Sequence, residues 1–326
     1  MVAQSLMSLL LVAILAGGWV VWTYRGPGPR ARSGPATTVF LEHGAGVAQI
    51  AHALKQAGVI SSEKLFVLAA KLGGAARSLK AGEYAVPSGA SMSTVLADVQ
   101  AGKVVRHQVS VPEGWTSAMA ADAVRREPVL TGEVETPPEG SILPDTYLFE
   151  RGEARSAVIQ RMRAAQDKTL AELWAARAPG LPFETPQEAV TLASIIEKET
   201  GLPAERPRIA AVFLNRLRAH MRLESDPTII YGISQGRPLG RGITLSEITA
   251  ITPYNTYKID GLPPTPIANP GRASLAAVLN PPRSTELFFV ANGQGGHVFA
   301  STFAEHERNV ARWRGLERAR AAVAGK

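Results

Sequence analysis

The chain reads as an α+β protein: an N-terminal transmembrane helix, a small α+β unit, then a mainly helical domain carrying one short β-hairpin. Three observations predict this. An uncharged Leu-, Val- and Ala-rich run extends from Ser5 to Trp22. Between positions 37 and 105, short strand-like runs alternate with amphipathic helical patterns. Beyond that, capped helices dominate, and a single pair of strand-like runs flanks a Gly-rich turn near the C-terminus.

The apolar run comes first. Roughly 18–20 apolar residues suffice to cross a bilayer. Trp19, Trp22 and Tyr24 sit at its end, where an interfacial aromatic belt would lie, and Arg25 follows at once. The run is longer than a signal h-region, and no small-residue cleavage site follows it, so residues 1–25 are expected to be a short stub and a retained anchor. Residues 26–36, rich in Pro, Gly and Arg, form a linker.

The small unit spans 37–105. Val39–Leu41 reads as a strand. Gly46–Ala57 reads as a helix with Val47, Ile50, Ala51 and Leu54 on one face, followed by a turn at Gly58–Ile60. A helix over Glu63–Lys71, a strand over Lys80–Val86 and a helix over Ser93–Gln100 complete it.

The larger domain spans 106–318, with a tail over 319–326. It opens on a strand at Arg106–Val111; Arg126–Gly140 is acidic and aperiodic and reads as a loop, and Leu143–Phe149 as a short ordered segment. Helices follow over Arg155–Ala176, Thr185–Thr200 and Glu205–His220, then a short one after Pro227 with Asp226 as its N-cap. Thr244 and Glu247 make a capping box, Thr252–Gly271 an ordered Pro/Gly loop, and Ser274–Leu279 a helix. Glu286–Ala291 and Val298–Ala300 are hairpin strands around Asn292–Gly296, and Thr302 with Glu305 opens a final basic helix.

Composition excludes several chemistries. The 326 residues contain no cysteine, so disulfides, thiolate zinc sites and a Cys nucleophile are ruled out. The net charge of +7 suits an anionic surface, but there is no recognition-helix or zinc-finger spacing and no aromatic-interleaved basic stripe, so no nucleic-acid partner is expected. The six histidines have no ligand spacing, and H-E-x-x-H, G-x-S-x-G, P-loop and G-x-G-x-x-G motifs are lacking; neither a metal nor another cofactor is expected. Carboxylate chemistry remains.

Glu199 is the sharpest candidate. Within the helix over Thr185–Thr200, Thr185 and Glu188 have capping-box spacing, Pro186 takes the first helical position, and Gly201 and Pro203 end the run. Leu192, Ile195, Ile196 and Glu199 fall on one face. A carboxyl at the end of an aliphatic stripe is desolvated, which raises its pKa and keeps it protonated, ready to donate. A structural ion pair is the competing role for such an acid. Glu197 points to nearly the opposite side and is expected to be solvated or ion-paired.

Further polar clusters lie C-terminal to it: Asn215 and Arg216 on a helix, Ser225 and Asp226 at a helix-starting turn, and Tyr254, Asn255 and Tyr257 in the Pro-rich loop. Aromatic rings and amides together suit a sugar. Each also has a local role available: Arg216 pairing an acid, Asp226 capping, Asn255 forming an Asx-turn.

Taken together, these blocks resemble a family. Leu192-Ala-Ser-Ile-Ile-Glu-Lys-Glu-Thr200, Val212–Leu217, Met221–Thr228, Tyr254-Asn-Thr-Tyr257, Gly261–Pro264, Asn292–His297 and Ser141–Tyr147 are similar, in order, to the YceG-like endolytic murein transglycosylases. The stretch between Trp115 and Ile142 is shorter than the family's usual one. The resemblance implies that 37–105 is a LysM-like subdomain and 106–318 the catalytic domain. It implies cleavage of the β-1,4 bond between N-acetylmuramic acid and N-acetylglucosamine in nascent glycan strands, leaving 1,6-anhydro ends, as a strand terminase with peptidoglycan synthases as neighbours. The family's catalytic acid/base maps onto Glu199, with Ser225, Asp226, Tyr254, Asn255, Tyr257, Arg216 and Glu197 as possible sugar contacts. The substrate lies outside the plasma membrane. Arg25, Arg30 and Arg32 after the span would by themselves hold the chain inside; the substrate places the bulk of the chain outside, as a single-pass protein. Two other functions fit the residues less fully: a non-enzymatic glycan-binding protein, and a hydrolysing muramidase using Asp226 or Glu224 as its second carboxylate.

Overall fold

The structure, a computed structural model, describes residues 2–324. The chain divides into two compact units. The first comprises residues 1–108 with 129–131 and 148–153, and the second comprises 109–128, 132–147 and 154–326. The protein is mixed α+β, mostly helical, as the patterning predicts.

In the first unit, helix α1 (Val2–Arg25) carries an apolar stretch over Leu6–Arg25 that is long enough to cross a membrane, and the Leu and Val side chains of that stretch stand exposed. Strand β1 (Ala36–Leu41) pairs antiparallel with β2 (Gly82–Pro87), Val39 opposite Tyr84. Helices α2 (Val47–Gln56), α3 (Glu63–Leu72) and α4 (Met92–Ala101) supply the rest. The core is Leu41, Leu54, Ile60, Phe66, Tyr84, Val95 and Val99. Ser62 and Ser91 cap α3 and α4 by accepting from the N–H groups of Leu65 and Thr94. The Tyr84 hydroxyl is buried but satisfied, donating to the Lys80 and Val99 carbonyls. Glu83 is buried beside His107 at 2.7 Å and Arg151 at 3.0 Å.

In the second unit, strands β3 (His107–Ser110) and β4 (Thr146–Phe149) overlap its edges. Helix α5 (Ser117–Arg126), capped by Thr116, is an element the sequence reading left unassigned; its buried face, Ala120, Ala121 and Val124, is made of small residues that give weak periodicity. Then come α6 (Arg155–Ala175), α7 (Pro186–Glu199), α8 (Arg206–Arg218), α9 (Asp226–Ser234), α10 (Leu245–Thr249) and α11 (Arg272–Leu279). Strands β5 (Phe288–Ala291) and β6 (His297–Ala300) form the expected hairpin, Phe289 opposite Phe299, and α12 (Phe303–Ala324) closes the chain.

Helices α7, α8 and α11 build the core of this unit. Leu192, Ile195, Ile196, Ile209, Phe213, Leu214, Leu275, Val278 and Leu279 are all essentially inaccessible. Burying each such side chain contributes about 1.5–3 kcal/mol. α7 is buried around most of its circumference, not along one stripe: Ala189, Val190, Ala193 and Ser194 are inside as well. Ser194 satisfies its hydroxyl by donating to the Thr191 carbonyl, and it accepts from the Ile267 N–H.

Candidate active site

The site grows from the C-terminal end of α7. Thr185 accepts from the Glu188 N–H, and Glu188 accepts in return from the Thr185 N–H, so the predicted capping box forms. Fourteen residues later the helix stops at Glu199, and Thr200 turns extended as the C-cap. Glu199 is therefore held at the end of a rigid, buried helix.

A second element delivers its partner. Glu224 adopts φ 54°, a left-handed conformation that a non-glycine residue takes only under constraint. The constraint is visible: the Glu224 N–H donates to the Thr256 carbonyl, and the Ser225 N–H donates to Thr256 Oγ1 at 2.9 Å. Thr228 adds bonds to the Ser225 carbonyl and to Thr256 Oγ1. So fixed, buried Ser225 donates its hydroxyl to Glu199 Oε1.

Here the structure corrects the expected cap. Ser225, not Asp226, holds the N-cap position of α9, and Asp226 is the first helical residue. Ser225 makes no side-chain capping bond, because its hydroxyl is committed to Glu199. Exposed Asp226 instead accepts from the Tyr257 hydroxyl at 2.8 Å.

The electrostatics follow from these positions. Glu199 is partly buried, and loss of hydration pushes its pKa up to about 7. The Ser225 bond opposes that rise, the Asp226 charge adds to it, and the charges of His297 and Arg216 oppose it. An acid so placed is divided between its two protonation states near neutrality, as proton transfer in both directions requires. Burial also raises the Tyr257 hydroxyl, helped by its bond to Asp226.

The remaining sequence candidates separate. Glu197 is buried and ion-paired: it accepts from Arg206 at 2.9 Å, from the Gly271 N–H at 2.9 Å and from Ser274 Oγ at 2.7 Å. It ties α7 to α8 and α11. Arg216 is buried, donating to the carbonyls of Leu287, Arg222 and Leu223 and to Glu224, so it reaches Glu199 by charge alone. Asn255 is fully buried, and its amide donates to the carbonyls of Glu247, Ile248 and Ala250 while Oδ1 accepts from the Tyr257 N–H. Against the expectation of a sugar contact, every polar atom of Asn255 is used to hold the end of α10 and an Asx-turn. Tyr254 pairs with Thr265 at 2.7 Å and packs on Tyr231. Glu199, Ser225, Asp226 and Tyr257 thus come together, while Asn255, Arg216 and Glu197 serve as scaffold.

Two groups escaped the sequence reading. His297, dismissed with the other histidines for lack of ligand spacing, is bound to Glu205 and acts on the Glu199 charge. Glu139 is a second carboxyl raised by burial, and it accepts from the Ser117 N–H, from Tyr231 and from buried Asn269. No local spacing marks either.

Comparison with known proteins gives a consistent picture. Residues 39–312 match the YceG-like family. The chain is 29% identical over 302 residues to the endolytic murein transglycosylase of Bacillus subtilis, covering 83% of this chain and 82% of that one. It is 30% identical to the endolytic murein transglycosylase of Streptococcus pneumoniae over 86% of its own length, and spans 59% of that longer protein. A crystal structure of a YceG-like protein from Listeria monocytogenes superposes with a TM-score of 0.52 at 30% identity, covering 85% of this chain and 99% of that one. With the family matched across residues 39–312, this chain belongs to the YceG-like family.

Proposed function

We propose that this protein is an endolytic murein transglycosylase. It cleaves the N-acetylmuramyl-β-1,4-N-acetylglucosamine bond within glycan strands and leaves 1,6-anhydro-muramyl ends, with Glu199 as its acid. The single observation that carries the assignment is the partly buried Glu199 carboxyl, raised to about 7 and aimed by Ser225. The names of the relatives agree with the reaction.

A glycosidase that uses water needs two carboxyl groups, one to protonate the leaving oxygen and one to activate the nucleophile or to act as it. A lytic transglycosylase carries its nucleophile in the substrate. Glu199 gives its proton to the departing oxygen, O6 of the muramyl residue closes on C1, and the proton shed by the C6 hydroxyl restores Glu199. Tethering replaces an activated water, because an intramolecular nucleophile attacks at high effective molarity. Asp226 and Tyr257 border the acid and are the groups to contact the sugar. The hydrolase alternative would draw on Asp226, which accepts from the Tyr257 hydroxyl, or on Glu224, which pairs with Arg216.

The α1 span serves as a single-pass anchor with residues 37–312 outside the plasma membrane, and the unit over 37–105 is LysM-like. Strand termination beside peptidoglycan synthases is the cellular role this arrangement suits. Mass spectrometry of uncrosslinked glycan strands after incubation tests the reaction. Anhydro ends, lighter by one water than reducing ends, support it when Glu199→Gln makes none. Reducing ends would establish a hydrolase, and no cleavage a glycan-binding protein.

A further inference from the structure

The positive charge of the chain is concentrated beside its apolar N-terminal helix. Residues 1–108 hold ten Lys and Arg against four Asp and Glu, six of the seven net positive charges of the whole chain. Three of the four acids are paired: Glu63 with His52, Glu83 with His107 and Arg151, and Asp98 with Lys103. Arg25, Arg30, Arg32, Lys64, Lys71 and Arg77 are exposed and carry no ion pair among the described residues.

Helix α1 is fastened to the rest of the first unit. Tyr24 packs on the unit's core, and Cα atoms of α1 come within 8 Å of α3 and of α4. The Pro- and Gly-rich stretch that follows is hydrogen-bonded to the turn after β2. The Gly28 N–H donates to the Gly89 carbonyl at 3.1 Å, the Gly89 N–H to the Pro29 carbonyl at 3.0 Å, and the Ala31 N–H to Ser88 Oγ at 3.0 Å. A Cβ at Gly28 would collide with the Ala90 carbonyl oxygen, so only glycine allows this approach. With α1 in a bilayer and Trp19 and Trp22 at its interface, the unit is held against the membrane surface.

Helix α3 carries a face that fits that surface. Lys64, Leu68, Lys71 and Leu72 fall at i, i+4, i+7 and i+8, one side of the helix. Leu68 is 51% and Leu72 80% exposed, the most exposed large apolar side chains of this unit outside α1 among the described residues. A cleft of about 350 Å³ lies between α2 and α3, walled by Ala48, Val67 and Leu68 and flanked by Lys64 and Lys71. Its one acid, Glu63, is engaged by His52 at 3.2 Å. Leucines set between lysines suit the headgroup region of a bilayer, where apolar side chains enter the acyl boundary and ammonium groups stay with the phosphates.

We propose that the α3 face formed by Lys64, Leu68, Lys71 and Leu72 docks on the anionic lipid headgroups of the membrane that α1 spans. The inference rests on the reading of α1 as an anchor. Two observations select this occupant: α3 adjoins the helix that enters the bilayer, and the unit around it carries unpaired positive charge. Docking sets how the membrane-proximal unit is tilted on the bilayer.

The chain has no cysteine, so a single introduced thiol reports a single site. The full chain is placed in vesicles of phosphatidylcholine with or without phosphatidylglycerol. A fluorophore is attached at Leu68→Cys or, as control, at Thr38→Cys on the outward face of β1, the side opposite Val39 and Leu41 in the core. Quenching by headgroup-nitroxide lipid is then read. In anionic vesicles it should be about fivefold stronger at 68 than at 38. Most of that excess should vanish without phosphatidylglycerol, at high salt, and on adding Lys64→Glu and Lys71→Glu. Equal quenching at both sites, with the chain still floating with the vesicles after an alkaline carbonate wash, would overturn the docking and leave the anchor reading intact. An excess at 68 that survives without phosphatidylglycerol would overturn the headgroup recognition. A label that responds to added glycan strands and not to anionic lipid would assign the face to the wall polymer and overturn the inference. A chain that carbonate strips from the vesicles would overturn the anchor reading and the inference with it.

Discussion

Ser225 donates its hydroxyl hydrogen to Glu199 Oε1, joining the first residue of one helical turn to the last residue of another helix 26 positions earlier. The bond occupies a hydroxyl that would otherwise cap α9, and it stabilises the carboxylate form of an acid that burial holds protonated.

Removing that hydroxyl therefore has a definite sign. In Ser225→Ala the charged form of Glu199 loses its hydrogen bond, so the pKa rises above about 7. The alkaline limb of the kcat/KM profile should move to higher pH, and stability should fall by only about 1 kcal/mol because no capping bond is lost. A limb that stays in place or moves down would contradict the role assigned to Ser225.

Glu199→Gln should lower turnover by about a thousandfold, within the range of a lost general acid. Its stability effect depends on pH. The folded pKa of about 7 exceeds the unfolded value of 4.5, so the parent's stability is fully present below the unfolded value and declines as pH rises through the folded one. The Gln variant does not titrate. It should match the parent near pH 4 and exceed it at pH 8 by up to about 3 kcal/mol. Melting curves across that window check this.

Glu197→Gln should act on stability first. Arg206 would keep Glu113 at 2.9 Å but lose its buried partner, and the Gly271 N–H and Ser274 would face an amide. A loss of about 2–4 kcal/mol is expected, read from denaturant unfolding. A variant as stable as the parent would mean the network contributes little.

Asn255→Asp is nearly isosteric, yet should be more harmful than Asn255→Ala. The amide nitrogen faces three carbonyl oxygens, and a carboxylate there meets them with an oxygen of its own. The expected cost is about 3 kcal/mol or more for Asp and about 2 kcal/mol for Ala. Hydrogen exchange should rise over residues 245–250 in both. Parental exchange there would show that the loop is held by other means.

Much of the frame was legible because its causes are local. The α7 cap is built from Thr185, Pro186 and Glu188 within four positions, and the structure forms it as read. The hairpin followed from two apolar runs around Asn292–Gly296, with β6 beginning one residue earlier than expected, at His297. Helix α5 went unseen because Ala and Ser on its buried face carry little hydrophobic contrast. Within the site, spacing chose Glu199 over Glu197, and it placed Ser225, Asp226 and Tyr257 on candidate segments. It did not distinguish those that meet the acid from Asn255, whose amide is spent on carbonyls five to eight positions away.

The sequence by itself determined where most helices lie, many of the aliphatic side chains that fill the core, and that an apolar N-terminal helix precedes the folded units. Those properties depend on neighbours within a turn or two of the chain. Only the tertiary structure decided which groups surround the Glu199 carboxyl. Ser225 reaches Glu199 because Thr256, in a distant loop, holds Glu224 in a left-handed turn. His297 reaches Glu205 because the β-hairpin folds back onto the start of α8. Desolvation and charge act through space, so the pKa of Glu199 belongs to the packed unit and not to the helix that carries it.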